Sequence, residues 1–225
     1  MANDKTTQKR VKSSRKNKFR GKNDKSKTRQ VKAVFMIVTE GTSEKNYFEM
    51  DCFRDKSIKV EAREGDKPDP AALIKTAEAW LSSLIADRDL QPGDQAWIIL
   101  DEDDATDEQL AEVFDWAALR KDRGVGFTVP QFEYWLLLHF DDGKGTRTQR
   151  EVEEKLKQCW PNYHKTARPQ FTVEQVNQAV GRASVKVSDT GVTTLDEFDE
   201  KIGRHSSVTT VHFLVELILA SLYGR

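Results

Sequence analysis

Two apolar runs that stop at carboxylates constrain this chain more than anything else in it. Val34-Phe35-Met36-Ile37-Val38-Thr39 ends on Glu40-Gly41, and Ala96-Trp97-Ile98-Ile99-Leu100 ends on Asp101-Glu102-Asp103-Asp104. Short continuous apolar runs rich in branched side chains read as strands buried on both faces, the pattern of a parallel sheet. Open parallel sheets bind their ligands outside the carboxyl ends of their strands. The acids fall at that edge.

Around these runs the pattern alternates. Residues 33–39 read as the first strand, with Gly41-Thr42-Ser43 supplying a turn and helix caps before a helix to about Arg54. Gly41 is the residue best able to take an unusual backbone angle there. A weak second strand spans 58–61, and a helix over 71–86 carries Leu73, Ala77, Trp80, Leu81 and Leu84 on one face. The 96–100 strand, a helix over 107–121 and a strand over 124–129 follow, and Pro130 fits a helix start. Residues 131–140 are apolar nearly all round and predict a buried helix holding Trp135 and His139, the histidine either buried and hydrogen-bonded, the favoured reading, or a general base. Beyond Gly143 the chain reads as charged helices over 148–159, 172–187, 194–202 and 208–222, the last with Val211, Leu214, Val215, Ile218 and Leu222 at helical spacing. Strands alternating with helices predict an α/β fold with a parallel, Rossmann-like sheet, right-handed crossovers and a helical C-terminal extension. The expected organisation is a tail over 1–32, a catalytic core over 33–140 and a helical region over 141–225 packing on it.

The formal net charge of −1 describes neither part of the chain. Residues 1–32 carry 13 Lys and Arg against Asp4 and Asp24, leaving 23 basic and 35 acidic residues in the remainder, a net of −12. With Val11, Phe19 and Val31 nearly its only apolar residues, the tail cannot offset the entropy of ordering and predicts disorder in isolation. Arg10, Lys12, Arg15, Lys16, Lys18 and Arg20 suit contact with a phosphate backbone. No apolar stretch follows the charges to make a secretory leader, and the 211–222 run is too short to span a bilayer. Cys52 and Cys159 have no metal-ligand spacing and read as free thiols of a soluble, cytoplasmic protein.

On a strand, Asp101 and Asp103 project to one side, about 7 Å apart at Cα. Clustered carboxylates raise one another's pKa values unless a cation neutralises them. Oxygen ligands suit Mg²⁺ or Mn²⁺, and such a site can activate water against a phosphodiester. Glu40, Asp101 and Asp103 are the expected metal ligands. Glu44, in the first turn of the following helix, serves either as a ligand or as a complement to the helix dipole. Glu133 opens an otherwise apolar helix, so its carboxylate either meets helix-terminal N–H groups or points into the pocket, the favoured reading. Lys165, with Tyr163 and Arg168, either clamps a phosphate or coats the surface. Trp116, Trp135 and Trp160 read as packing residues.

Thr39-Glu40-Gly41-Thr42-Ser43-Glu44-Lys45-Asn46-Tyr47-Phe48, followed by Asp101-Glu102-Asp103, resembles the Toprim catalytic domain, which pairs a Glu-Gly strand end with a DxD strand end. More narrowly, Pro130-Gln131-Phe132-Glu133-Tyr134-Trp135-Leu136-Leu137-Leu138-His139-Phe140, then Tyr163-His164-Lys165 and Ser206-Ser207-Val208-Thr209-Thr210-Val211-His212, resembles the RloB family of bacterial phage-defence and abortive-infection proteins. The resemblance runs over about 33–220. It implies a metal-dependent Toprim endonuclease acting on RNA, tRNA included, or DNA, often encoded beside an ABC- or OLD-type ATPase. On these positions Glu40 is the general acid/base or a metal ligand, Asp101 and Asp103 are metal ligands, Glu44 is an auxiliary carboxylate and Glu133 completes the acidic pocket. Two other readings compete. One is a non-catalytic module that docks nucleic acid or a partner while the acids cap loops. The other takes Asp101 as the nucleophile of a HAD-like phosphatase, although Asp104-Ala105-Thr106 lacks the usual Gly-Thr.

Overall fold

A computed structural model of the chain describes residues 33–87, 90–102, 105–187 and 192–224. The first apolar run forms β1 (Ala33–Thr39), and Thr42–Phe48 follow as a short helix, α1. Then come β2 (Ile58–Glu64), α2 (Pro70–Ala86), β3 (Gln95–Asp101), α3 (Asp107–Ala118) and β4 (Arg123–Val129). The C-terminal region contributes α4 (Glu133–Leu137), α5 (Gln149–Cys159), α6 (Val173–Ser184), α7 (Leu195–Lys201), β5 (Val208–Thr209) and α8 (Val211–Tyr223).

The strands are ordered β2-β1-β3-β4-β5, and all neighbours are parallel except β5, which runs antiparallel to β4. This is the expected α/β architecture with one antiparallel edge. Side chains alternate across the sheet and build two cores. Phe35, Ile37, Trp97 and Ile99 face the layer holding α1, α4, α6 and α8. Met36, Val38, Ala96, Ile98 and Leu100 face α2, α3 and α7. Because both faces are covered, the central strands are apolar without alternation.

Pairing of Thr39 with Ile99 sets Glu40 beside Leu100, one residue before Asp101. The two acidic strand ends therefore finish side by side. Asp94, buried in the turn before β3, accepts from Val34 N and Gln91 N, each at 2.8 Å, and fixes the opposite ends of the same strands. Thr106, Thr148 and Thr172 begin α3, α5 and α6 with reciprocal capping boxes.

Four sequence expectations need correction. The helix after Gly41 ends at Phe48, and a 3-10 turn over Asp51–Phe53 replaces its continuation, because Phe53 turns inward against Tyr47 with ring centroids 5.5 Å apart. β2 runs three residues beyond the expected 58–61, since its pairing with β1 is made by backbone at a sheet edge and leaves no apolar pattern in its exposed side chains. Pro130 does not start a helix; α4 begins three residues later and is only five residues long. Val208 and Thr209 form a strand ahead of α8, held by the Thr128–Thr209 hydroxyl pair at 2.9 Å and by Thr210 Oγ1 accepting from Phe127 N at 2.9 Å.

Phe127 links the two halves of the chain, its ring centroid lying 5.8 Å from Phe114 and 5.2 Å from Phe198 of α7. Phe127→Ala is expected to cost about 3–5 kcal/mol in denaturant unfolding. A loss below about 1 kcal/mol would mean that this contact does not hold the C-terminal helices to the sheet.

Candidate functional site

The strand ends are positioned by backbone. Glu40 N donates to Ile99 O at 3.2 Å, continuing the ladder past Thr39, and Thr39 Oγ1 donates to Gly41 O at 3.0 Å. Glu40 Oε2 accepts from Asp101 N at 3.2 Å, and Asp101 Oδ2 accepts from Phe132 N at 2.9 Å. The strand end of β1, the strand end of β3 and the segment entering α4 are thus joined through two carboxylates.

Gly41 has an extended backbone at φ −142° and ψ −174°, open to any residue, so the expected special angle is absent. Its role is spatial. A Cβ at Gly41 would lie 3.2 Å from Glu44 Oε2, which occupies that space. Thr42 and Ser43 do not cap α1; Gly41 is its N-cap and no side chain closes it. Ser43 Oγ instead donates to Lys165 O at 2.9 Å and lies 3.2 Å from Tyr163 Oη. Asn46 Nδ2 donates to Thr166 O and Ala167 O, so the 163–167 segment is tied to α1 from both sides.

Glu133 is buried at 3% exposure in the first turn of α4, and Tyr163 Oη donates to its Oε1. Tyr163, expected at a surface clamp, is buried in contact with this acid. Lys165 and Arg168 remain exposed, Lys165 close enough to Glu44 to favour its charged form.

Burial raises Glu44 to about 7; a backbone hydrogen bond and Lys165 oppose the shift, while Glu133 and Glu40 reinforce it. Asp101 is pushed well above the usual carboxylate range, first by burial and then by the negative charge of Glu44, with the Phe132 N–H acting against the rise. Glu44 Oε2 and Asp101 Oδ1 are shielded from solvent without a hydrogen-bond donor. Buried anionic oxygens that lack donors must bind a proton or a cation, and their hardness fits Mg²⁺ or Mn²⁺. Among the described residues no three Asp, Glu, His or Cys side chains already close on one point as a ligand shell does. Asp103 lies outside the described residues, as do Arg10, Lys12, Arg15, Lys16, Lys18 and Arg20.

The structure therefore brings Glu40, Glu44, Asp101 and Glu133 into one electrostatically interacting group. A cavity of about 220 Å³ opens on Glu40 and Asp101, bounded by Pro68, Pro70, Ala105 and Gln109. A larger cavity of about 590 Å³ lies by Trp97 and Phe114, with Glu216 its one carboxylate, and contains none of this chemistry. The neighbouring acids Glu102 and Asp107 have a different role. Arg204, in the loop before β5, pairs with both at 3.6 and 2.9 Å and with Asp199 at 2.7 Å. No sequence pattern announced Arg204, because its partners come from three separated segments. His139 is the expected buried residue: it contacts Tyr47 Oη and Trp135 O, and burial lowers it to about 3.

A mostly parallel sheet with half-buried acids at adjoining strand ends, and buried Glu44 and Glu133 on the helices beside them, defines an α/β protein with its site at the carboxyl edge. The chain belongs to the family described as RloB-like protein, matched over residues 35–218. No curated protein and no solved structure matches it. Among the described residues, no helix is long and apolar enough to cross a membrane.

The raised Glu44 value makes the folded state hold a proton that the unfolded state, near 4.5, releases earlier. Stability contributed by this group therefore falls as pH rises from about 4.5 through about 7. With chelator present, Glu44→Gln is expected to flatten the decline in unfolding free energy between pH 5 and pH 8 by roughly 2 kcal/mol. An identical pH dependence in wild type and variant would show that Glu44 is not held against its charge.

Proposed function

We propose that this protein is a divalent-metal-dependent nuclease that cleaves phosphodiester bonds in RNA or DNA, acting as a phage-defence effector under the control of a partner ATPase. The observation that carries the reading is the pair of buried, donor-free carboxylate oxygens, Asp101 Oδ1 at the end of β3 and Glu44 Oε2 in the first turn of α1. The defence role and the ABC- or OLD-type partner come from the resemblance of the motif blocks to RloB proteins.

Glu40 and Asp101, with Asp103, would hold Mg²⁺ or Mn²⁺, and Glu44 and Glu133 would complete the acidic wall. When bound, the ion supplies a more acidic water and charge neutralisation at the phosphate. The chain's own groups do the rest. Phe132 N fixes one Asp101 oxygen and so aims the other. Glu40 is positioned at the cavity, where it can hold or pass a proton. Lys165, exposed on the segment anchored by Ser43 and Asn46, and the neighbouring exposed Arg168 would meet the backbone phosphates of a bound strand. The phosphatase alternative requires Asp101 as nucleophile, whereas one of its oxygens is held by Phe132 N and Asp104-Ala105-Thr106 lacks the Gly-Thr that such enzymes use.

Incubation of the protein and its genomic ATPase neighbour with tRNA, total RNA and plasmid DNA tests this reading. Mn²⁺- or Mg²⁺-dependent cleavage is expected, falling at least about 100-fold in Glu40→Ala and Asp101→Asn. Wild-type protein inert towards every substrate with metal and partner present would refute it.

A further inference from the structure

Tyr163 touches one of the acids of the proposed site from outside it. Its hydroxyl donates to Glu133 Oε1 and lies 3.2 Å from Ser43 Oγ, while Ser43 Oγ also reaches Lys165 O at 2.9 Å. Tyrosine and serine hydroxyls carry one proton each, so two protons serve three contacts. The Tyr163 hydroxyl donates to Glu133 Oε1, which commits the tyrosine proton to that contact. The serine proton is then shared between Tyr163 Oη and the carbonyl of Lys165. The orientation of Glu133 is thereby linked to the segment that carries Lys165. Glu133 in turn acts on both Glu44 and Asp101 through its charge.

We propose that Tyr163 is a positioning residue of the metal site: its hydroxyl fixes Glu133 beside Glu44 and Asp101, and Ser43 couples that orientation to the Lys165 segment. This inference rests on the metal-dependent reading above. Outer-shell hydrogen bonds of this kind hold acidic ligands in the geometry an ion requires. The ring of Tyr163 has a separate, structural role, packing 5.2 Å from Trp160, and a phenylalanine preserves it.

The test is calorimetric titration of the full-length chain with Mn²⁺ alone, in wild type, Tyr163→Phe, Glu133→Gln and the double variant, with Ser43→Ala as a second probe of the same link. Tyr163→Phe is expected to weaken Mn²⁺ binding by roughly 10-fold while its melting temperature stays close to that of wild type. In the Glu133→Gln background the same change is expected to have no further effect, because the carboxylate it orients is gone. Ser43→Ala is expected to weaken binding in the same direction and less, and it decides the matter if Tyr163→Phe fails to fold. Wild type that binds Mn²⁺ with Tyr163→Phe equal to it overturns the role of Tyr163 and leaves the nuclease reading standing. An equal loss in the presence and absence of the Glu133 carboxylate also overturns it, by showing that the tyrosine acts elsewhere. Wild type that binds no Mn²⁺ overturns both.

Discussion

Negative charge held out of water governs this structure. Glu44 and Glu133 are buried, and Asp101 keeps both oxygens engaged or shielded, at the carboxyl edge of a sheet whose interior is otherwise apolar. Burial raises the cost of ionising Glu44 and Asp101, and the negative charge of the neighbouring acids raises it further. Such a group would destabilise the fold at neutral pH if it served only packing, since an apolar residue would fill the same space without penalty. Its place at the strand ends, beside a cavity, is the edge at which open α/β sheets bind their ligands.

The scaffold spends much of its hydrogen bonding on keeping this edge rigid. Thr39 fixes the Glu40–Gly41 turn, Asp101 ties β3 to the entry of α4, and the lack of a side chain at Gly41 leaves room for Glu44. Parts of the chain far apart in sequence converge to do so: the 163–167 segment is anchored on α1, and Arg204 gathers Glu102, Asp107 and Asp199 around the loop that follows β3. The C-terminal region is therefore structural support for the acidic edge as well as cover for the core. α8 approaches β4 closely because Gly126 has no side chain; a Cβ there would lie 2.5 Å from Ile99 Cδ1 and 3.3 Å from Val211.

The central strands and the pairing of Glu40 with Asp101 were legible in the sequence because burial on both faces leaves a continuous apolar run that ends abruptly on charge. β2 was half hidden, since an edge strand held by backbone bonds imposes little on its side chains. The break after Phe48 and the short α4 were not legible: both follow from tertiary burial, and an all-apolar segment carries no period to mark where a helix stops. Within the site, Glu40, Asp101 and Glu133 stood out as acids at the ends of apolar runs, and Glu44 by its place in the first turn of the helix after Glu40. Ser43 was read as a helix cap and Tyr163 as part of a clamp with Lys165, and Arg204 was not singled out, because a hydroxyl or a guanidinium in a polar segment looks the same whether it faces solvent or a buried carboxylate. Asp103 was read as the strand neighbour of Asp101, but β3 ends at Asp101 and its position falls outside the described residues.

The central claim is that the acidic edge around the unpartnered oxygens of Glu44 and Asp101 holds a cation. Crystals grown with Mn²⁺ and measured at the manganese absorption edge address it directly. The account predicts an anomalous peak at bonding distance from Asp101 Oδ1 and from at least one oxygen of Glu40 or Glu44. Crystals that diffract well enough to show the edge, yet carry no such peak and place protein donors against those two oxygens, would contradict it.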